Sequence, residues 1–216
     1  MKGAVLIIGS LLWETELNSL NKTQGKLREE WRRNLDLENK IFVKAPIRYG
    51  KRSSTRKCTY TMVFSNSVAS SGTAVIIPYK KATNDFNELK EQAIALSKAE
   101  GISNEKYPNR LISSWGAVGI YFNKQKYNNE ADVKMNWHQE YNQFNNMDYK
   151  IPPEIPAISE NGEINFNIII PDIFDLLLLS RTKYTPEYFY FINSCINCHN
   201  GNVWFGYWNN CIIINK

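Results

Sequence analysis

The chain is poor in the residues that build covalent or metal-centred scaffolds. Its 216 residues include 4 cysteines and 2 histidines. Cys58, Cys195, Cys198 and Cys211 are too sparse for a disulfide framework, so the expectation is reduced thiols in a cytoplasmic protein. Long apolar runs are missing as well. A bilayer span takes ~20 apolar residues. The first run, Val5-Leu6-Ile7-Ile8, stops at Gly9-Ser10, and Leu176 to Leu179 is only a short buried run. No membrane association is expected. The N-terminal run is followed by Glu14-Thr15-Glu16 rather than by an Ala-x-Ala-like cleavage site, which argues against a signal peptide. A large excess of one sign of charge is missing too. Lys and Arg number 26 against 21 Asp and Glu, a net charge of +5. That surplus can recruit small anions and does not call for nucleic acid. No internal repeat is present. No G-x-S-x-G stands around any serine, so a Ser10–His138–Asp triad lacks its nucleophile elbow.

What is present suits a packed domain. Hydrophobic residues make up 43% of the chain, enough to build a core and to exclude global disorder. Val5 to Ile8 reads as a first strand. Glu29 to Arg33 reads as a short helix or the lead-in to a strand. Lys40 to Pro46 alternates like a half-buried strand. Thr59 to Phe64 is rich in β-branched and aromatic residues, and Thr73 to Pro78 reads as its hairpin partner. Asp85 to Glu100 is the clearest helix, with Phe86, Leu89, Ala93 and Leu96 at helical spacing and Gly101 just past its end. Ala117 to Phe122 is a further strand. Asn123 to Lys150 turns polar and reads as an amphipathic helix or a long excursion, with Trp137 and Tyr141 spaced through it. Residues 151–156 are a proline-stiffened linker. Ile164 to Pro171 reads as a strand and Ile173 to Ser180 as a short helix or turn. Thr185-Pro186-Glu187 is a helix start. Val203 to Trp208 and Cys211 to Ile214 read as strands. The division expected is a core over 1–122 and a C-terminal elaboration over 123–216, packed on the same domain.

Two elements carry a chemical pattern. The first strand delivers a tight loop, Gly9-Ser10-Leu11, whose successive amides can face an anion or a developing oxyanion. The best helix ends in Glu100-Gly101, followed by Tyr107. The order is strand, Gly-Ser loop, strands, a Gly-containing strand at Ser71-Gly72-Thr73-Ala74-Val75, helix, Glu-Gly, strand. Over about its first 120 residues the chain resembles the γ-glutamylcyclotransferase-like superfamily. Members open with a strand and a Tyr-Gly-Ser-(Leu/Asn) loop and later carry a helix ending in an acidic residue followed by Gly. Ile8 stands where the family has its tyrosine.

The resemblance implies an α+β fold built on a mixed, barrel-like sheet with packed helices. It also implies an enzyme that releases 5-oxoproline from a small γ-glutamyl amine or peptide. In that chemistry the nucleophile is the substrate's own α-amine, so no cofactor and no metal is required. One carboxylate can take a proton from the α-ammonium and return one to the leaving amine. Glu100 is the candidate for that role. Gly9, Ser10, Leu11 and Tyr107 are the candidate substrate-binding residues.

Other readings stand beside this one. The same fold could bind a small metabolite or a protein partner without catalysis. Arg48, Arg52 and Arg56, in a basic loop, could bind a carboxylate or phosphate. Cys195-Ile196-Asn197-Cys198-His199 matches the c-type haem pattern and, with Cys211, offers zinc ligands. Haem attachment needs an oxidising compartment, and adjacent Cys-His suits one tetrahedral ion poorly, so these residues read as incidental to an aromatic-rich tail.

Overall fold

The structure is a computed structural model that describes residues 1–52, 60–65, 71–113, 116–123, 130–143, 157–182, 203–207 and 210–214. Strand β1 (Gly3–Ile7) is buried along its whole length, as an unbroken apolar run demands. It lies in the middle of a five-stranded mixed sheet. Helix α1 (Lys22–Arg32) follows, capped by the Asn21 side chain, which accepts from the Gln24 N–H at 3.1 Å. It begins well before the short segment expected at 29–33. Strand β2 (Ile41–Ala45) runs along one edge of the sheet. Strands β3 (Ile47–Arg52) and β4 (Tyr60–Phe64) pair with each other as a separate antiparallel ribbon. Strand β5 (Gly72–Pro78) lies antiparallel between β1 and β2. The expected β4–β5 hairpin is therefore replaced by a β3–β4 hairpin. Both strands have the right local propensity, but propensity says nothing about which neighbour satisfies the ladder.

Helix α2 (Phe86–Glu100) starts at Asp85, whose carboxylate accepts from the Glu88 N–H at 3.0 Å. It ends at Gly101, whose φ of 77° needs no Cβ. Its buried stripe, Leu89, Ala93 and Leu96, turns toward β7 and β6. Strand β6 (Gly116–Phe122) is the far edge of the sheet. Helix α3 (Glu130–Asn142) buries Val133, Trp137 and Tyr141 at successive four-residue steps and exposes Met135. This is the amphipathic alternative for the polar stretch. The Trp137 Nε1–H donates to the Gly162 carbonyl at 3.2 Å.

Strand β7 (Leu176–Thr182) is the principal correction. A short helix or turn was expected there. Instead it lies between β1, to which it is parallel, and β6, to which it is antiparallel. Leu176, Leu177, Leu178 and Leu179 are all buried. Burying four leucines is worth roughly 6–12 kcal/mol before chain entropy is counted, and a central strand buries both faces at once. Residues 176–182, although they belong to the C-terminal stretch, are thus part of the main sheet. The strand expected over 164–171 does not form: Ile164 makes an isolated bridge to Ile158 and residues 165–171 belong to no strand, while β8 (Val203–Tyr207) pairs with β9 (Asn210–Ile214).

The barrel-like closure expected of the sheet is not seen among the described residues. The order β2-β5-β1-β7-β6 is open. The outer side of β6 is met by residues 162–164, where the Ile120 N–H donates to Gly162 and the Ile164 N–H to Ile120, at 2.9 and 2.7 Å. On the other side, β3 pairs with β4 instead of extending the sheet past β2. The chain is an α+β protein built on a mixed, open sheet. Among the described residues no helix is long and apolar enough to cross a membrane.

Candidate functional site

The loop after β1 is shaped by one backbone angle. Ile8 is still extended, Gly9 takes a φ of 73°, and residues Gly9–Leu12 form a single 3-10 turn. A side chain at position 9 would be strained in that conformation. The turn closes with the N–H groups of Trp13 and Glu14 donating to the Ser10 carbonyl at 3.2 and 2.9 Å. The opening amides of such a turn have no acceptor within it. The Leu11 side chain sinks into the core, so only its backbone can serve a ligand.

Helix α1 ties this loop to the end of α2. Gln24, Arg28 and Arg32 stand four residues apart and share one helix face. Arg32 is buried and donates to the carbonyls of Leu11 (2.7 Å) and Glu14 (2.6 Å). These two bonds clamp the loop from below. Burial pulls the Arg32 guanidinium below its ordinary pKa, with Arg28 adding to the effect while Glu29 and Glu14 oppose it. Gln24 donates to the carbonyls of Lys98 (2.9 Å), which also accepts from the Gly101 N–H, and Ala99, both in the last turn of α2.

Arg28 is the junction. Its Nε–H donates to the Ala99 carbonyl at 3.0 Å. One terminal nitrogen donates to the Ser10 hydroxyl at 3.2 Å and forms an ion pair with Glu14. The other reaches Glu100 Oε2 at 3.4 Å. Glu100 is the last residue of α2, where a negative charge opposes the helix dipole. The guanidinium at that helix end supplies the compensating positive charge. The second carboxylate oxygen of Glu100 accepts from the Ser180 hydroxyl of β7 at 2.6 Å. The Glu100 side chain is 16% exposed and that of Glu14 only 6%, so Glu100 is the less buried of the two carboxylates.

The two halves expected from the sequence therefore meet through one guanidinium: Ser10 and Glu100 share Arg28. Tyr107 sits elsewhere in its contacts. Its ring is flanked by Arg110 and Lys106, 4.8 and 5.2 Å from the centroid, and its backbone pairs with Asn104. Arg48 and Arg52 lie on β3 opposite Val63 and Tyr60, and Arg56 falls outside the described residues. Cys58, Cys195, Cys198, His199 and the 185–187 helix start also fall outside them. Among the described residues no group of three or more His, Cys, Asp or Glu could hold a metal ion. His138 engages Glu163 at 2.6 Å, while Ser10 engages Arg28, so the two belong to different clusters.

Arg28, Glu14 and Ser180 escaped the sequence reading. The Gln24-x3-Arg28-x3-Arg32 spacing was the available signal, but a polar stripe on a helix ordinarily marks a solvated face. Ser180 had no signal, because the strand that carries it was read as a helix or turn. The comparisons add no assignment: no family model, no curated protein and no solved structure matches this chain.

Proposed function

We propose that this chain is a γ-glutamylcyclotransferase-like enzyme that releases 5-oxoproline from a small γ-glutamyl amine or peptide. The observation that carries the reading is the Arg28 junction, which holds the Ser10 loop and the Glu100 carboxylate in one polar cluster. In this reading the substrate folds so that its α-nitrogen approaches its own γ-carbonyl carbon, the arrangement that makes an intramolecular attack fast. Glu100 takes one proton from the α-ammonium. The freed amine attacks the γ-carbon, and the carbonyl oxygen becomes an oxyanion facing the amides of the Gly9–Leu12 turn. Glu100 gives its proton to the leaving nitrogen and then takes the second proton of the ring nitrogen; the oxyanion collapses, the C–N bond to the leaving amine breaks, and Glu100 passes that second proton to the amine as well. The amine departs as an ammonium ion, and the lactam keeps one N–H. No oxidant, metal or protein nucleophile enters the balance.

The test is an assay of 5-oxoproline release from a panel of γ-glutamyl amines and dipeptides, with Glu100→Gln beside the wild type. Turnover that drops at least about a hundredfold in the variant supports the assignment, since general acid–base catalysis contributes on that scale. Turnover unchanged in Glu100→Gln refutes the mechanism.

A second reading has an observation of its own. Ile8 replaces the family's loop tyrosine, and the Glu100 carboxylate already holds two partners, Arg28 and Ser180. Both features suit a binding protein on the same scaffold. Metabolite binding without 5-oxoproline release from any member of the panel selects this reading.

A further inference from the structure

The donor inventory of Arg28 is incomplete in an informative way. A guanidinium carries five N–H donors. The Nε–H is used by Ala99, and the two on one terminal nitrogen by Ser10 and Glu14. The other terminal nitrogen, NH2, also carries two donors, and its one partner among the described residues is Glu100 at 3.4 Å. That is long for a charge-assisted bond, which settles at about 2.7–2.9 Å. The Arg28–Glu14 side of the cluster is thus tight and almost closed, while the Arg28–Glu100 side is loose and more open.

We infer that Arg28 and Glu100 together form a receptor for the head group of a free α-amino acid. Arg28 takes the α-carboxylate on its loosely engaged NH2 edge, and Glu100 takes the α-ammonium. The inference rests on the cyclotransferase reading for the role of Glu100 and extends it by assigning the carboxylate to Arg28. A positive and a negative group side by side are the complement of a zwitterion whose ammonium and carboxylate are bonded to one carbon. Entry of the ligand exchanges one long ion pair for two short ones. With Ala99, Ser10 and Glu14 holding the other three donors, the carboxylate meets the N–H groups of NH2 alone, in one charge-assisted contact. Ser180 keeps Glu100 oriented during the exchange because it holds the other oxygen, at 2.6 Å. The Ser10 and Glu14 bonds keep Arg28 in place in the same way. The assignment also frees the amides of the 3-10 turn from the substrate's carboxylate, leaving them for the γ-carbonyl oxygen. The ligand class is accordingly narrow: L-amino-acid derivatives with both α-groups unblocked and the variable part on the side chain.

The test is calorimetric titration of the full chain with L-glutamine, N-acetyl-L-glutamine and the α-amide of L-glutamine. Wild type is expected to prefer L-glutamine at least about tenfold over each blocked form, the scale of one lost charge-assisted bond. In Arg28→Gln the preference over the α-amide disappears while the preference over the N-acetyl form survives. Glu100→Gln shows the reverse. Arg28→Lys, which keeps the charge, retains the preference for the free carboxylate at reduced affinity, and it carries the test if Arg28→Gln does not fold. A wild type that binds none of the three, or binds all of them alike, overturns the inference, as does an unchanged acid-over-amide preference in Arg28→Gln. The two readings fail separately. Head-group recognition without 5-oxoproline release removes the cyclotransferase and leaves the receptor. Release with no dependence on Arg28 removes the receptor and leaves the enzyme.

Discussion

Replacing Gly25 with alanine sets two effects of opposite sign against each other. On helix propensity alone the change is favourable by about 1 kcal/mol, because Gly25 lies inside α1. Tertiary structure says otherwise. A Cβ at position 25 would stand 2.2 Å from the Thr15 carbonyl oxygen, 2.6 Å from its carbon and 2.7 Å from Ser19 Cβ. Two of those atoms are backbone, so the overlap cannot be relieved by turning a side chain. Ordinary contact distances require the segment to retreat by roughly 1 Å or more. That segment is held on its near side by Arg32, through the carbonyls of Leu11 and Glu14. A hydrogen bond to a charged group is worth about 1.5–3 kcal/mol, and overpacking alone costs about 1–3 kcal/mol. Taking about 3 kcal/mol for the displacement and about 1 for the propensity leaves a net loss of about 2 kcal/mol. For a chain of this size that lowers Tm by about 4–8 °C. Differential scanning calorimetry of the two proteins measures it. A Gly25→Ala protein as stable as wild type, or more so, would show that the loop does not press on α1 and would remove the support of the Ser10 turn from the account.

Two further expectations concern parts of the fold away from the site. Burial is the largest single influence on Glu163 and pushes its carboxyl up, but Lys134 and His138 together outweigh it and hold the group below the usual carboxylate range. The stability this group contributes is therefore complete above the unfolded value of about 4.3 and is lost as pH falls through the lower folded value. Urea midpoints measured from about pH 6 down to pH 3 should fall less steeply in Glu163→Gln than in wild type; parallel curves would contradict the cluster. Asp85→Ala removes the acceptor that caps α2 and should lower stability by about 1 kcal/mol, or Tm by about 2–4 °C, with Asp85→Asn close to wild type. An unchanged Tm in Asp85→Ala would mean that the cap contributes nothing.

Several elements were legible because their signals are local. The run Val5 to Ile8 announces a buried strand, and α2 declares itself by Leu89, Ala93 and Leu96 at helical spacing with Gly101 behind them. The polar stretch around Trp137 and Tyr141 was correctly open to an amphipathic helix. Two failures have separate causes. The leucine run of β7 shows no period, since a strand buried on both faces has none, and short apolar runs of that kind are ambiguous between helix and strand. The pairing of β4 with β3 instead of β5 depends on which edges remain free after the sheet assembles. The Gly9-Ser10 loop and Glu100 were visible as separate pieces, and their juxtaposition was an expectation drawn from a resemblance.

The sequence by itself determined the pieces: a strand that must be buried, a glycine that must take a positive φ, a capped helix ending in an acidic residue. Each follows from forces acting within a few residues. Only the tertiary structure decided that the polar face of α1 turns inward. Gln24, Arg28 and Arg32 look like a solvated stripe until the last carbonyls of α2 and the loop after β1 are brought against them. A buried charge is tolerable only where partners surround it, and those partners come from residues 10–14, from 98–100 and, through Glu100, from Ser180. No local pattern can report such a convergence, because the energy that permits it exists only once the distant segments have met.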